Sequence, residues 1–249
     1  MIKKILKFIL IALIWLAVWQ VAAMLVGSPL LLPTPIAVAK RLFELCATSD
    51  LYLTLITSFA RIALGLLLGV TVGILGGILT ANSKIARDFL SPLLAVIKST
   101  PIASFIILIL LWLDRNSVPV VISLLVVLPV VWANVEVGIL NTDKALLEMA
   151  SAYKMTRFSK IKHVFVPSVA PYFSASLNSS LSLAWKAGVA AEALILPVLA
   201  IGTRIFEAKY NLETVDLFAW TVVVVILSAI IEKLAHLLTA RLSKKEAAR

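Results

Sequence analysis

Long apolar runs separated by short polar and basic segments make up most of this chain. Read as helices, they predict about six spans, near residues 5–26, 54–80, 88–113, 117–139, 169–198 and 217–239. Several hold 18 or more nearly uncharged residues, the length an α-helix needs to cross about 30 Å of hydrocarbon. Between the first two, Ser28-Pro-Leu-Leu-Leu-Pro-Thr-Pro35 stops any helix. Residues 36–47 then predict a short amphipathic helix lying along the membrane interface. The first run follows Lys3, Lys4 and Lys7 as a signal peptide would, but at roughly 20 residues it outruns a signal core, so an uncleaved anchor helix is expected.

Composition agrees with lipid as the main solvent: 61% of the 249 residues are hydrophobic, 14% are charged, and the mean hydropathy is +1.06. No ordinary soluble domain has that balance. The fold class expected is an all-α integral membrane protein. The net charge of +10 lies in short segments between apolar runs, so it reports orientation rather than a nucleic-acid surface. With the N-terminus inside, Lys3, Lys4, Lys7, Lys84, Arg87, Lys144, Lys154, Arg157, Lys160, Lys162, Arg241, Lys244, Lys245 and Arg249 face the cytoplasm. Lys40, Arg41, Arg115, Arg204 and Lys209 face the other side. Positive-inside asymmetry therefore predicts a multi-pass plasma (inner) membrane protein with both termini cytoplasmic. A lone cysteine, Cys46, excludes an intramolecular disulfide, and two distant histidines give no metal-ligand spacing.

In the second span Gly65, Gly69, Gly73 and Gly77 recur every four residues, which places them on one face for close helix packing. The longest polar stretch, Asn141 to Pro171, predicts two short helices on the cytoplasmic side. In the first, Ala145, Leu146, Met149, Ala152 and Tyr153 share an arc opposite Lys144, Glu148, Ser151 and Lys154. Thr156 is placed to N-cap the second, where Phe158, Ile161 and Phe165 repeat at helical spacing and Pro167 ends the run. Apolar faces on such a loop are covered by the chain's own spans, by the lipid interface, or by a groove on a soluble partner.

Glu148, Ala150, Ala152-Tyr153, Thr156, Phe158, Ile161, Val166-Pro167 and Pro171 resemble the EAA loop of binding-protein-dependent ABC importer permeases, which docks into a cleft on the ATPase subunit. The resemblance extends over about residues 50 to 240. Ser58-Phe-Ala-Arg61, Pro92-Leu-Leu94, Lys98-Ser-Thr-Pro101-Ile, Trp185 and Ala190-Ala-Glu192 look like the nitrate/sulfonate/taurine class. It implies a type I importer transmembrane domain over 51–240, with a coupling loop at about 141–168, an anchor helix and interfacial segment over 1–50, and a cytoplasmic tail over 241–249. It further implies that Glu148, Ala150, Tyr153, Lys154, Met155, Thr156, Phe158, Ile161 and Pro167 couple to an ATPase. The implied partners are cytoplasmic ABC ATPases, a second permease subunit, identical or not, and an extracytoplasmic solute-binding protein. No cofactor is expected on this chain; ATP and Mg would sit on the ATPase, since the sequence has no G-x-x-x-x-G-K-[ST] loop. Two departures from the family pattern stand out. Lys154 occupies the turn position usually held by glycine, and Trp112-Leu-Asp-Arg-Asn-Ser-Val118 lacks the glycine turn of relatives.

Charged residues inside spans are costly and default to functional candidates. Arg61 can instead snorkel to the headgroups, as can Lys98. In the fifth span Ser174, Asn178, Ser182, Trp185, Val189 and Glu192 fall on one arc bordered by Lys186. The stripe reads either as interhelical hydrogen bonding or, with Lys98, as a translocation path for an anionic solute formed by Asn178, Ser182, Trp185, Lys186 and Glu192. The competing classes are an ion-coupled secondary transporter, against which the lack of an internal repeat argues, and a membrane enzyme, which would need clustered catalytic side chains.

Overall fold

The computed structural model describes residues 2–247, and within them the side chains of 2–5, 8, 236 and 238–247 are left aside. The side chains of Lys3, Lys4, Arg241, Lys244 and Lys245, and Arg249 as a whole, on which part of the orientation was read, therefore lie outside what is described. The described residues form helices joined by short turns: α1 (Ile2–Val26), α2 (Pro35–Cys46), α3 (Ser49–Asn82), α4 (Lys84–Ser99), α5 (Ile102–Ile109), α6 (Val118–Leu140), α7 (Lys144–Ala152), α8 (Arg157–Lys160), a π-helical turn (Ile161–Phe165), α9 (Val166–Ile195), α10 (Ile201–Tyr210) and α11 (Thr214–Ala247). Among the described residues α1, α3, α6 and α11 are each long and apolar enough to cross a membrane, and α4 with α5 makes a fifth if counted as one bent span. The stretch expected as a fifth span is α9, which serines, Asn178, Lys186 and Glu192 make more polar than the others.

The glycine stripe sets the centre of the fold. A Cβ at Gly65 would sit 2.2 Å from the Val120 carbonyl oxygen, one at Gly69 2.9 Å from that of Leu124, and one at Gly77 2.8 Å from that of Trp132. With Gly73, whose Cβ would sit 3.0 Å from the Leu128 carbonyl oxygen, four successive turns of α3 thus lie against the backbone of α6, which is why these positions tolerate no side chain. Gly76 faces the Trp132 ring, whose Nε1 donates to Thr80 Oγ1 at 3.0 Å. α9 packs along α6 and also meets α3, with Gly188 lying against Ile62 of α3 and Ser123 of α6, and α11 flanks α9. Trp185, Val127, Val131 and Trp220 fill the space between them.

The expected third span is broken. Pro101 forces Thr100 into an extended conformation (ψ 128°), and α4 and α5 meet at 102°. Pro92, by contrast, sits inside a continuous α4. α2 forms as expected, with Pro35 in its first turn and Thr34 accepting from the Ala37 N–H at 3.3 Å. Ion pairs tie the α2 end of the bundle together: Arg41 grips Asp216 with two hydrogen bonds of 2.5 and 2.8 Å, and Arg204 meets Asp50 at 2.5 Å. The Asp216 carboxylate holds the Arg41 guanidinium's pKa above its ordinary value. At the α7 end Arg87 reaches Glu136 at 2.7 Å. α1 is exposed over most of its length and is held mainly by Trp19, which stacks on Phe218 and donates to the Pro33 carbonyl.

Candidate functional site

At the α7 end, Asp143 caps α7 by accepting the Ala145 N–H at 2.8 Å. The helix closes with a Schellman motif: the Met155 N–H reaches the Ala150 carbonyl and the Lys154 N–H the Ser151 carbonyl, both at 3.0 Å. That motif puts its central residue in the left-handed region, and Lys154 stands there with φ 49°. The left-handed turn forms with lysine where glycine would fit freely, at about 1 kcal/mol of backbone strain. Thr156 caps α8 as expected, its Oγ1 accepting from Ser159 N–H at 3.3 Å.

The second loop helix differs from expectation at its far end. Pro167 does not end it. The chain continues from α8 through the π-helical turn into α9, with Pro167 in the first turn of α9. Proline lacks an N–H and its ring would strike the carbonyl four residues back; the wider turn, with Val166 N–H bonded to Ile161, absorbs the mismatch. The loop is therefore continuous with a 30-residue helix.

Tyr153 is 79% exposed and Phe158 76%, and Met149, Glu148 and Ile161 are exposed beside them. Ala150 is buried, so it seats α7 rather than facing a partner.

At the other end of α9 lies a buried carboxylate. Glu192 is 0% exposed. Its Oε2 accepts from Ser58 Oγ at 2.9 Å and from the Gly202 N–H at 3.3 Å, and its Oε1 lies 3.7 Å from Arg61 Nη1. Ser58 Oγ in turn accepts from the Ile201 N–H at 2.9 Å. The carboxylate thus sits against the opening turn of α10, whose unpaired N–H groups favour negative charge. A Cβ on Gly202 would lie 2.3 Å from the Ala193 nitrogen, so only glycine allows this approach. Arg61 also donates to the Val198 and Leu199 carbonyls and to Asn116 Oδ1 at 2.8, 3.3 and 2.8 Å. It does not snorkel; it closes the irregular turn after α9, where Leu196 and Leu199 both adopt positive φ.

The sequence over residues 65–245 matches the family model described as the inner membrane component of binding-protein-dependent transport systems. A putative aliphatic sulfonates transport permease of Bacillus subtilis is 30% identical over 96% of this chain and 87% of its own. The chain belongs to this family. A nitrate import permease of Synechococcus elongatus is 30% identical over 78% of this chain and 73% of its own, and the taurine transport system permease of Escherichia coli is 26% identical over 90% and 84%. The fold matches that of a bacterial ABC transporter involved in import of the acidic polysaccharide alginate, with a TM-score of 0.63, 17% identity and 96% of each chain covered. This permease is thus the membrane subunit of an ABC importer, in the nitrate, sulfonate and taurine class that its residues resemble.

Within the permease, the expected path residues divide. Trp185 is 2% exposed and packs in the core between α3, α6 and α9, and Glu192 is closed off as described. Neither opens onto a lumen in the single chain. Asn178 and Ser182 are half-buried, while Lys186 and Lys98 are exposed. Lys98 borders a cavity of about 220 Å³ at the α4–α5 break, with Thr100 and Phe105. The Glu192–Ser58–Arg61 constellation was the feature hardest to find from sequence. Its signal was Ser58 and Arg61 three residues apart on one helix face, together with an acid deep in a span that required a donor. The glycine-free turn after α5 also finds its explanation. The Asp114 carboxylate accepts from the Asn116 N–H at 2.9 Å and from Ser117 Oγ at 2.6 Å, an Asx turn that needs no positive φ.

Proposed function

We propose that this permease forms the translocation path for a small oxyanion and is driven by a separate cytoplasmic ATPase that docks on the loop from Asp143 to Phe165. The exposure of Tyr153 and Phe158 at the tip of a loop continuous with α9 carries the reading. Apolar rings held out from the bundle on a capped, strained turn supply the anchors that a groove on a soluble partner takes up. Glu148, Met155, Thr156 and Ile161 frame them, Pro167 fixes where the loop joins α9, and ATP with Mg binds the partner rather than this chain.

α9 runs unbroken from the π-helical turn to Ile195, with Pro171 inside it, so motion of the loop reaches the body of the helix. Closure of two ATPases around nucleotide would shift α7 and α8, and α9 would turn that shift into a tilt about the turn held by Arg61 and Glu192. A second permease subunit completes the path, with Lys98, Asn178, Ser182 and Lys186 facing it. Sulfonate, nitrate and taurine in the relatives' names share an anionic group, and exposed lysines on the path suit such a solute. The solute-binding protein would engage the α2 end, so that both termini are cytoplasmic.

Affinity purification of the tagged chain from native membranes in mild detergent tests the docking. Recovery of a P-loop ATPase, lost with Tyr153→Arg or Glu148→Arg, is expected. A transporter that runs on a proton gradient and retains no ATPase would refute it. Lys186→Met is expected to abolish anion uptake while leaving ATPase capture intact.

A further inference from the structure

A groove of about 680 Å³ opens between α3, α6 and the start of α9, well away from the α4–α5 break. Its body is apolar: Ile78, Val135, Ile139, Val169 and Phe173 line it. It runs from Asn82 to Ile74 on α3 and from Val166 to Ser174 on α9, about two helical turns or 12 Å. Its charge is confined to one end, where Arg157 and Lys160 of α8 form the rim. The ion pairs among the described residues use other cations, so both charges remain available there.

We infer that this groove binds an anionic phospholipid, one acyl chain lying along α3 and α9 and the phosphate held between Arg157 and Lys160. An apolar slot with a basic rim at the end of membrane-crossing helices has the polarity of an amphiphile, and basic pockets between such helices select anionic headgroups. The tail alone confers little selectivity, because it leaves one apolar medium for another. Discrimination rests on the two cations, at roughly fivefold each. The site adjoins the π-helical turn, so a lipid seated there touches the segment that joins the loop to α9.

Native mass spectrometry of the delipidated full chain in detergent tests this, with phosphatidylglycerol, phosphatidylcholine and inorganic phosphate offered separately. Retention of phosphatidylglycerol about 25-fold over phosphatidylcholine is expected, falling to parity in Arg157→Gln/Lys160→Gln. Val169→Trp, which fills the groove and leaves the rim intact, is expected to lower phosphatidylglycerol retention at least tenfold. Equal retention of both lipids, or an undiminished preference in the rim variant, overturns the proposal. Competition by inorganic phosphate at the same concentration as lipid would overturn it in favour of a free-anion site. Loss of the lipid on assembly of two permease copies would overturn it in favour of a protein occupant.

Discussion

Arg61→Met should destabilise the permease by about 3 kcal/mol, and about half of that loss should depend on Glu192. Removing one partner of a buried ion pair costs about 3–5 kcal/mol, because the remaining charge stays desolvated. The low end applies here: the Arg61 and Glu192 charges are 3.7 Å apart without a direct hydrogen bond, and Arg61 is 13% exposed. Glu192→Gln keeps an acceptor for Ser58 and Gly202 but removes the charge. In that background Arg61→Met forfeits only the bonds to Val198, Leu199 and Asn116, about 1.5 kcal/mol in all, because those to Val198 and Asn116 are open to solvent and count little. The double-mutant cycle should therefore return an interaction of about 1–2 kcal/mol. Unfolding in dodecyl maltoside titrated with SDS, followed by tryptophan fluorescence, reads it directly, since Trp185 and Trp220 are buried. An interaction within about 0.5 kcal/mol of zero, the ordinary limit of additivity, would show that Arg61 serves the α9 turn alone.

Three further outcomes follow from local geometry. Lys154→Gly relieves a positive φ and should slow hydrogen exchange of the Met155 amide about fivefold, consistent with about 1 kcal/mol; unchanged exchange would mean that the lysine turn is unstrained. Gly65→Ala places a methyl 2.2 Å from the Val120 carbonyl, and because backbone cannot rotate away, it should cost about 1–3 kcal/mol in the same SDS titration; a neutral result would mean that α3 and α6 are not in close contact. The Asp114 carboxyl is held below the usual carboxylate range by the Ser117 hydroxyl, so its contribution is full above the unfolded value of about 3.9 and fades as pH falls through the lower folded value. Protection of the Asn116 amide, corrected for intrinsic exchange, should drop over that acid window and show no such drop in Asp114→Ala.

Much of the fold was legible because a membrane simplifies the pattern. Apolar length marks a helix whatever its neighbours, and a four-residue glycine repeat marks a close helix contact, found here between α3 and α6. The Thr156 cap was equally readable, since its partner lies three residues away. Harder features depended on partners distant in sequence. Pro101 signals a break but not the 102° angle, which depends on how α5 packs against α6 and α9. Pro167 looks like a helix terminator, because sequence alone does not show that a π-helical turn absorbs it. Arg61 and Glu192 are 131 positions apart, and the polar stripe on α9 gives no hint that Trp185 and Glu192 face protein while Lys186 faces outward.

The placement of α9 explains why its polarity and its burial occur together. A helix exposed to lipid could not hold Glu192 at low cost, whereas one packed against α3 and α10 gives it a hydroxyl and a guanidinium from the first and an amide from the second. Fixing the helix at Glu192 by directional bonds also limits how α9 can slide or rotate at that end. Displacement imposed at the α8 end is then resolved as tilting about the Arg61–Glu192 node rather than as rolling along α6. A tilt moves Lys186, six residues from Glu192, much less than it moves Asn178 and Ser174. Any gating that follows loop movement should therefore be largest in the half of the path nearest the loop. Distances between spin labels at residues 174 and 186 and a label on α6 should show the first changing several times more than the second when nucleotide and ATPase are added. Equal changes at the two positions would mean that α9 moves as a free rod and that the buried carboxylate is not its pivot.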